Sequence, residues 1–217
     1  MATFQVRIED IIGATASLGS DNATANEQAI QDALQDTASD IINKVRPEML
    51  IQFATKSSNV ASNPIVANLE NSRVLMVDRK ASDSFYISCA YISPDLGGKI
   101  QNPESIYFAS EQSPNWTFND NDIYVYPAPT SDYPSRYYTM ETPTIEHGDS
   151  AVTKFPNELE QVLVLGASVM LKQRQITFYN EEEDPENAQL HKVQYDDIVV
   201  QYGNALKPFL PPPSAEA

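Results

Sequence analysis

The stretch Val162-Leu163-Val164-Leu165-Gly166-Ala167-Ser168-Val169-Met170-Leu171 is apolar around nearly its whole circumference when it is drawn as a helix. Such a helix is typical of the centre of a bundle, because a surface helix carries polar residues along one side. Pro156 and the acidic residues Glu158 and Glu160 precede it, as in the first turn of many helices. Its small residues 166–168 would let another backbone come close. The stretch therefore predicts the central helix of an α-helical bundle.

The distribution of proline separates helical ends from a β-rich middle. Proline disrupts a helix interior, because it removes a hydrogen bond and clashes with the preceding turn. None of the 15 prolines lies in residues 1–46, 157–184 or 186–207, whereas eight lie between Pro94 and Pro156. We predict an α+β fold in which N- and C-terminal helices form a bundle core, residues 1–72 and 142–206. A small antiparallel β-sheet, residues 73–141, is inserted between them.

Two amphipathic helices accompany the apolar one. Behind a capping box at residues 24–27, apolar residues recur every three or four positions to about Arg46, and one acidic face carries Asp32, Asp36 and Asp40. Asp184 before Pro185 is a start signal for the last helix. That helix bears two stripes, one of Leu190, Val193 and Asp197, and a fuller one of Tyr195, Val199, Tyr202 and Leu206.

The middle region consists of short segments rich in aromatic and β-branched residues, which favour strands. They are residues 74–77, 85–92, 105–109, 115–118, 123–126 and 136–140. The polar residues 119–122 predict a hairpin turn between two of them. Eight of the 11 tyrosines lie in this region, and Trp116, Tyr124 and Tyr126 are candidates for a sheet interface. They indicate protein contact or core, with a carbohydrate groove as the alternative.

The charge excludes one class of function. The chain has 14 Lys and Arg against 30 Asp and Glu, a formal net charge of −16. Such a surface repels phosphate and argues against a protein that grips duplex DNA. The first ten residues have no apolar segment of a secretory signal, and the longest apolar run covers about ten residues where a membrane span needs about twenty. We expect a soluble protein made in a cytoplasm, with no membrane partner.

Catalytic signatures are scarce. Residues 147–150, His-Gly-Asp-Ser, contain the residue types of a catalytic triad, but triad members come from separate elements. Cys89 lies in a strand-like segment and is interpreted as a small buried hydrophobe. No phosphate-binding loop, Cys-x-x-Cys pair or His-Glu-x-x-His motif is present. We expect neither an enzyme nor a cofactor or metal site. A hydrolase that uses carboxylates stays open only because carboxylates are abundant.

Four stretches together resemble the head-to-tail connector proteins, also called neck or adaptor proteins, of tailed bacteriophages. They are Arg46-Pro47-Glu48-Met49-Leu50-Ile51-Gln52-Phe53-Ala54 behind the acidic helix, residues 102–110 with Ser113-Pro114, Ile123-Tyr124-Val125-Tyr126-Pro127-Ala128-Pro129-Thr130, and Phe155-Pro156-Asn157-Glu158-Leu159 before the apolar helix. The resemblance implies a homo-oligomeric ring, usually of twelve copies, in the virion neck between the portal protein and the tail tube, nozzle or next neck protein. DNA would pass through its lumen without specific binding.

This resemblance gives roles to residues already singled out. The candidates for the channel lining are the two acidic groups, Asp32, Asp36 and Asp40 and then Glu181, Glu182, Glu183 and Asp184. The C-terminal residues 207–217 are rich in proline and predict an extended arm, on which Phe209, Leu210 and Pro211 are candidates for docking on the portal. The alternative function is a tail-associated module that binds a carbohydrate or receptor through the aromatic sheet around Trp116 and Tyr124.

Overall fold

A computed structural model describes residues 2–13, 23–66, 69, 72–82 and 85–212 of the chain. It confirms the α+β class. The described chain divides into two compact units. One comprises the residues up to Phe53 together with those from Thr142 onwards, and the other is the segment Ala54–Glu141. The first unit is a helical bundle and the second contains the sheets.

The described helices are α1 (Phe4–Ile12), α2 (Ala23–Lys44), α3 (Pro47–Leu50), α4 (Gly97–Ile100), α5 (Glu160–Glu181) and α6 (Pro185–Leu206). All but the short α4 belong to the bundle. α5 contains the apolar stretch predicted to be central, and residues 162–168 are all buried. This confirms the prediction made from its apolar circumference. The acidic face of α2 and the start of α6 at Pro185 also form as the sequence predicts.

Long-range side-chain contacts fix the directions of the helices. The Tyr179 ring stacks on His191 at 4.9 Å between centroids, so α5 and α6 form an antiparallel hairpin. Tyr202 Oη donates to Asp40 Oδ2 at 3.2 Å. Arg46 Nη2 donates to the carbonyl oxygen of Pro208 at 3.0 Å. Arg46 and Pro208 lie just beyond the ends of α2 and α6, so the contact partners advance in the same direction along both helices. α2 therefore runs parallel to α6 and antiparallel to α5.

The sequence reasoning missed α1. Phe4, Ile8 and Ile12 recur at a spacing of four and are buried, and the Thr3 hydroxyl accepts from the amide of Val6. Residues 147–149 hold the start of this helix, because the amide of Phe4 donates to the carbonyl of Asp149 at 2.7 Å. This loop therefore satisfies an unpaired backbone group of α1.

The sheet unit has eight described strands: β1 (Thr55–Lys56), β2 (Ile65–Val66), β3 (Ser72–Ser82), β4 (Phe85–Ser88), β5 (Ala90–Tyr91), β6 (Asn115–Asn119), β7 (Asp122–Tyr126) and β8 (Ser135–Glu141). They form two four-stranded sheets, in the orders β1-β8-β3-β4 and β2-β7-β6-β5. The expectation of a single antiparallel sheet is corrected twice, because there are two sheets and β5 pairs parallel with β6. β1 and β2 also precede residue 73, and two residues are too few to show a period.

The two sheets share one hydrophobic core. It contains Val77 from β3, Trp116 from β6, Ile123 and Val125 from β7, and Cys89. The burial expected of Cys89 is therefore confirmed, and burial raises the pKa of its thiol to about 12. The hairpin between β6 and β7 also forms as predicted, with Asp120 and Asn121 at positive φ.

Residues 105–109 are not a strand, contrary to the prediction. The amide of Tyr107 donates to the Ser105 hydroxyl oxygen, and the amide of Ala109 donates to the carbonyl of Ile100. Local hydroxyl and backbone acceptors therefore take the amide donors that a strand would offer to a neighbour.

Candidate functional site

The acidic face of α2 is built from three aspartates at a spacing of four, which places them on one side of the helix. Asp32 and Asp36 are exposed, and Asp40 is half-exposed. Asp40 is paired, since its Oδ2 lies 2.8 Å from Lys44 Nζ and also accepts from Tyr202. Asp36 makes no hydrogen bond or ion pair within the part of the chain that the structure describes. Two of the three candidates thus keep an uncompensated negative charge in solvent.

The second acidic group lies in the turn between α5 and α6. Glu181, Glu182 and Glu183 are all exposed, and Glu183 has a φ of 56°. Asp184 differs from them, because its carboxylate caps α6 by accepting from the amide of Asn187 at 3.2 Å and from its Nδ2 at 2.6 Å. Those hydrogen bonds lower the pKa of the Asp184 carboxyl. Asp184 therefore has a structural task that the three glutamates do not share.

The fold does not bring the two acidic groups together: the α5–α6 turn lies at one end of the bundle, and the α2 aspartates extend from its middle towards the other end. Asp40 lies level with Tyr202, and α2 runs parallel to α6. At about 1.5 Å per residue, Asp32 is therefore about 12 Å nearer to the α5–α6 turn than Asp40 is. By the same spacing the turn lies about 27 Å from Tyr202 along α6, which leaves about 15 Å between Asp32 and the turn.

A groove of about 330 Å³ opens beside the α2 aspartates. It is lined by Asp36, Thr37, Asp40, Gly166, Val169, Met170 and Tyr202. Burial, and then the neighbouring Asp40 carboxylate, raise the pKa of Tyr202 to about 12. The phenol therefore stays protonated and continues to donate to Asp40 at neutral pH. The groove has an apolar floor with acidic groups at its edge.

The C-terminal residues predicted to be an extended arm start as a helical turn. Lys207–Phe209 forms a 3-10 turn, and the backbone becomes extended only at Leu210. Pro208 is tolerated because the first turn of a helix needs no amide donor there. The amide of Arg46 donates to the carbonyl of Phe209 at 3.1 Å, which ties this turn to the end of α2. Phe209 and Leu210 are half-buried, Pro211 is exposed, and the portion 213–217 lies outside the described residues.

The three aromatic candidates of the sheet unit do not share one surface. Trp116 is buried in the core, and Tyr91 contacts it edge-on at 4.9 Å between ring centroids. Tyr124 and Tyr126 alternate with the buried Ile123 and Val125 along β7, so their side chains lie on the opposite face. Trp116 and Tyr124 therefore do not line one aromatic groove.

Lys172, which follows the apolar stretch of α5, is completely buried. Its Nζ donates to the carbonyl oxygen of Ile12 at 2.8 Å, at the C-terminal end of α1. Desolvation lowers the pKa of this ammonium group to about 8. No sequence signal marks it, because the Lys-Gln-Arg run reads as the polar end of a helix.

Among the described residues, no group of three or more His, Cys, Asp or Glu side chains is arranged to hold a metal ion. No helix in the described ranges is long and apolar enough to cross a membrane. Comparison with models of known protein families and with curated proteins finds no match.

Proposed function

We propose that this chain is a structural protein of a bacteriophage virion that acts by contact and not by catalysis. Copies of it form a ring in the neck, which joins the portal protein to the tail and surrounds the DNA channel. The copy number that the resemblance implies is twelve. The partners are further copies of the chain, the portal, and the tail tube, nozzle or next neck protein.

One observation carries the proposal beyond the resemblance. Asp32, Asp36 and the three glutamates of the α5–α6 turn are exposed carboxylates. The aspartates lie along one face of α2, and the glutamates lie at the end of α5 and in the turn that follows it. A channel wall for DNA must not bind the phosphates that pass it. Carboxylates that face the lumen repel phosphate, and a repelled duplex slides because no ion pairs with the wall have to break.

Imaging of assemblies is the direct test of the ring. We expect the purified protein, alone or mixed with its portal, to form closed rings with a central hole in negative-stain images. Monomeric particles under both conditions would contradict the proposal. A glycan array run on the same preparation tests the alternative module, because binding that is lost in Trp116→Ala would favour carbohydrate recognition.

Charge reversal tests the role of the acidic turn. The triple variant Glu181→Lys, Glu182→Lys, Glu183→Lys should gain duplex DNA affinity that falls with added salt, measured by fluorescence anisotropy. In virions it should slow genome ejection.

A matched control separates the effect of charge at the α5–α6 turn from the effect of the net charge of the chain. The exposed residues Glu104, Glu111 and Asp132 of the sheet unit are changed to Lys in a second triple variant. Each substitution adds two charges, so both variants move the net charge from −16 to −10. If the control slows ejection as much as the turn variant does, then the turn has no special place in the channel.

A further inference from the structure

α6 presents an apolar seam that no described residue of its own chain covers. Leu190, Val193, Asp197, Val200 and Asn204 follow one another at spacings of three and four along the helix. Leu190 is 54% exposed, and Val193 and Val200 are each 60% exposed. The residues that α6 buries in the bundle, Ala188, Ile198 and Leu206, lie on its other side. Since this spacing is the one at which two helices mesh their side chains, the seam fits another helix.

The residue at the centre of the seam indicates which charge the partner helix should carry. Asp197 is exposed between the two valines, and within the described ranges its carboxylate accepts only from Gln201 on the same helix, at 2.9 Å. Pairing the seam with the same seam of another copy would bring two such carboxylates together, which is unfavourable. An occupant with an Arg or Lys opposite Asp197 would instead form an ion pair surrounded by apolar contacts.

The same chain offers a helical face with the required cation. Met170, Arg174 and Thr177 lie on one side of α5 at spacings of four and three, and Arg174 and Thr177 are exposed. Arg174 makes no hydrogen bond or ion pair with any described residue. It does not reach Asp197 of its own copy, although both belong to the α5–α6 hairpin, because the seam lies on the side of α6 away from the bundle.

We propose that the seam of α6 in one copy docks against the α5 face of Met170, Arg174 and Thr177 in the next copy, with Asp197 paired to Arg174. The two surfaces are different patches of the same chain, so the contact is head-to-tail and leads to a ring when the rotation closes. This inference rests on the proposed ring and names the subunit contact that builds it.

A charge swap tests the pairing. The wild-type chain, Asp197→Arg, Arg174→Asp and the double variant are compared over a concentration series by mass photometry and negative-stain imaging. Each single variant places like charges together and should raise the concentration needed for half-assembly by about tenfold or more. The double variant restores opposite charges and should recover assembly close to that of the wild type. Circular dichroism confirms that all four chains are folded.

Asp196→Arg is the matched control, because it makes the same charge change one residue away from the seam. Asp196 is 3.0 Å from Lys192 in an exposed ion pair, so its loss should cost little. Rings that form equally well in both single variants would overturn this contact and leave the ring itself standing. Single variants that fail to assemble, without recovery in the double variant, would overturn the pairing. A wild-type chain that stays monomeric, also with portal protein present, would overturn the contact and the proposed function together.

Discussion

Gly166 has the least room for a side chain among the described glycines. A Cβ atom built on it would overlap Thr37 Cγ2 and lie 3.0 Å from Tyr202 Cε2, so Gly166→Ala would push on both α2 and α6. Thr37 is buried, and its hydroxyl lies 3.4 Å from Met170 Sδ, so rotation of its side chain would give up that contact. The neighbours must therefore shift to admit one methyl group.

The magnitude follows from two opposing terms. Overpacking a closely packed interior costs about 1–3 kcal/mol. Replacing glycine by alanine inside a helix favours the folded state by about 1 kcal/mol. We expect Gly166→Ala to lower the free energy of unfolding by about 1 kcal/mol. Gly203 in α6 is the matched control, since no described atom lies within 4 Å of a Cβ built there. Gly203→Ala should raise the free energy of unfolding by about 0.5–1 kcal/mol.

Urea unfolding followed by circular dichroism measures both variants. The double variant Thr37→Ser with Gly166→Ala removes the overlapping methyl group of Thr37. It should lose less stability than the sum of the losses in the single variants Thr37→Ser and Gly166→Ala. If Gly166→Ala stabilises the protein as much as Gly203→Ala does, then the close packing of α2 and α6 on Gly166 is wrong.

Three further predictions concern titration, capping and thiol access. Lys172 should contribute a rise of about 1 kcal/mol in the free energy of unfolding between pH 8 and 9, because its pKa is lowered to about 8 in the folded chain and the unfolded chain binds the extra proton. Lys172→Met should remove this contribution, measured in urea titrations as the difference between the pH profiles of the two chains, and identical profiles would refute it; the raised pKa of Cys89 acts in the opposite direction in both chains from about pH 8 upwards. Asp184→Ala should lower the urea midpoint and Asp184→Asn much less, since an amide oxygen can still cap α6; equal losses would contradict capping. Cys89 should react with a thiol reagent such as DTNB only when the chain unfolds, and rapid labelling of the native protein would disprove its burial.

Local patterns were enough to find the long helices and most strands. The absence of proline from residues 157–184 and 186–207, the apolar circumference of 162–171 and the Asp184 cap each act within a few residues of the chain. The same holds for the β6–β7 hairpin, because a polar turn with two positive φ angles is encoded by its own four residues. α1 was missed because its length of nine residues carries only three repeats of the buried stripe, Phe4, Ile8 and Ile12, and Val6 and Ile11 lie outside that stripe.

The sequence by itself thus determined the α+β class, the acidic faces and the central place of α5, since each depends on spacing along one element. Tertiary structure alone decided that Lys172 is buried against the end of α1, that Gly166 packs against Thr37 and Tyr202, and that the strands form two sheets and not one. It also decided that the Leu190–Val200 seam faces solvent while the opposite side of α6 enters the bundle. These outcomes depend on contacts between residues that are tens to more than a hundred positions apart, or on which of two similar stripes a neighbouring helix covers, and no local pattern encodes that choice.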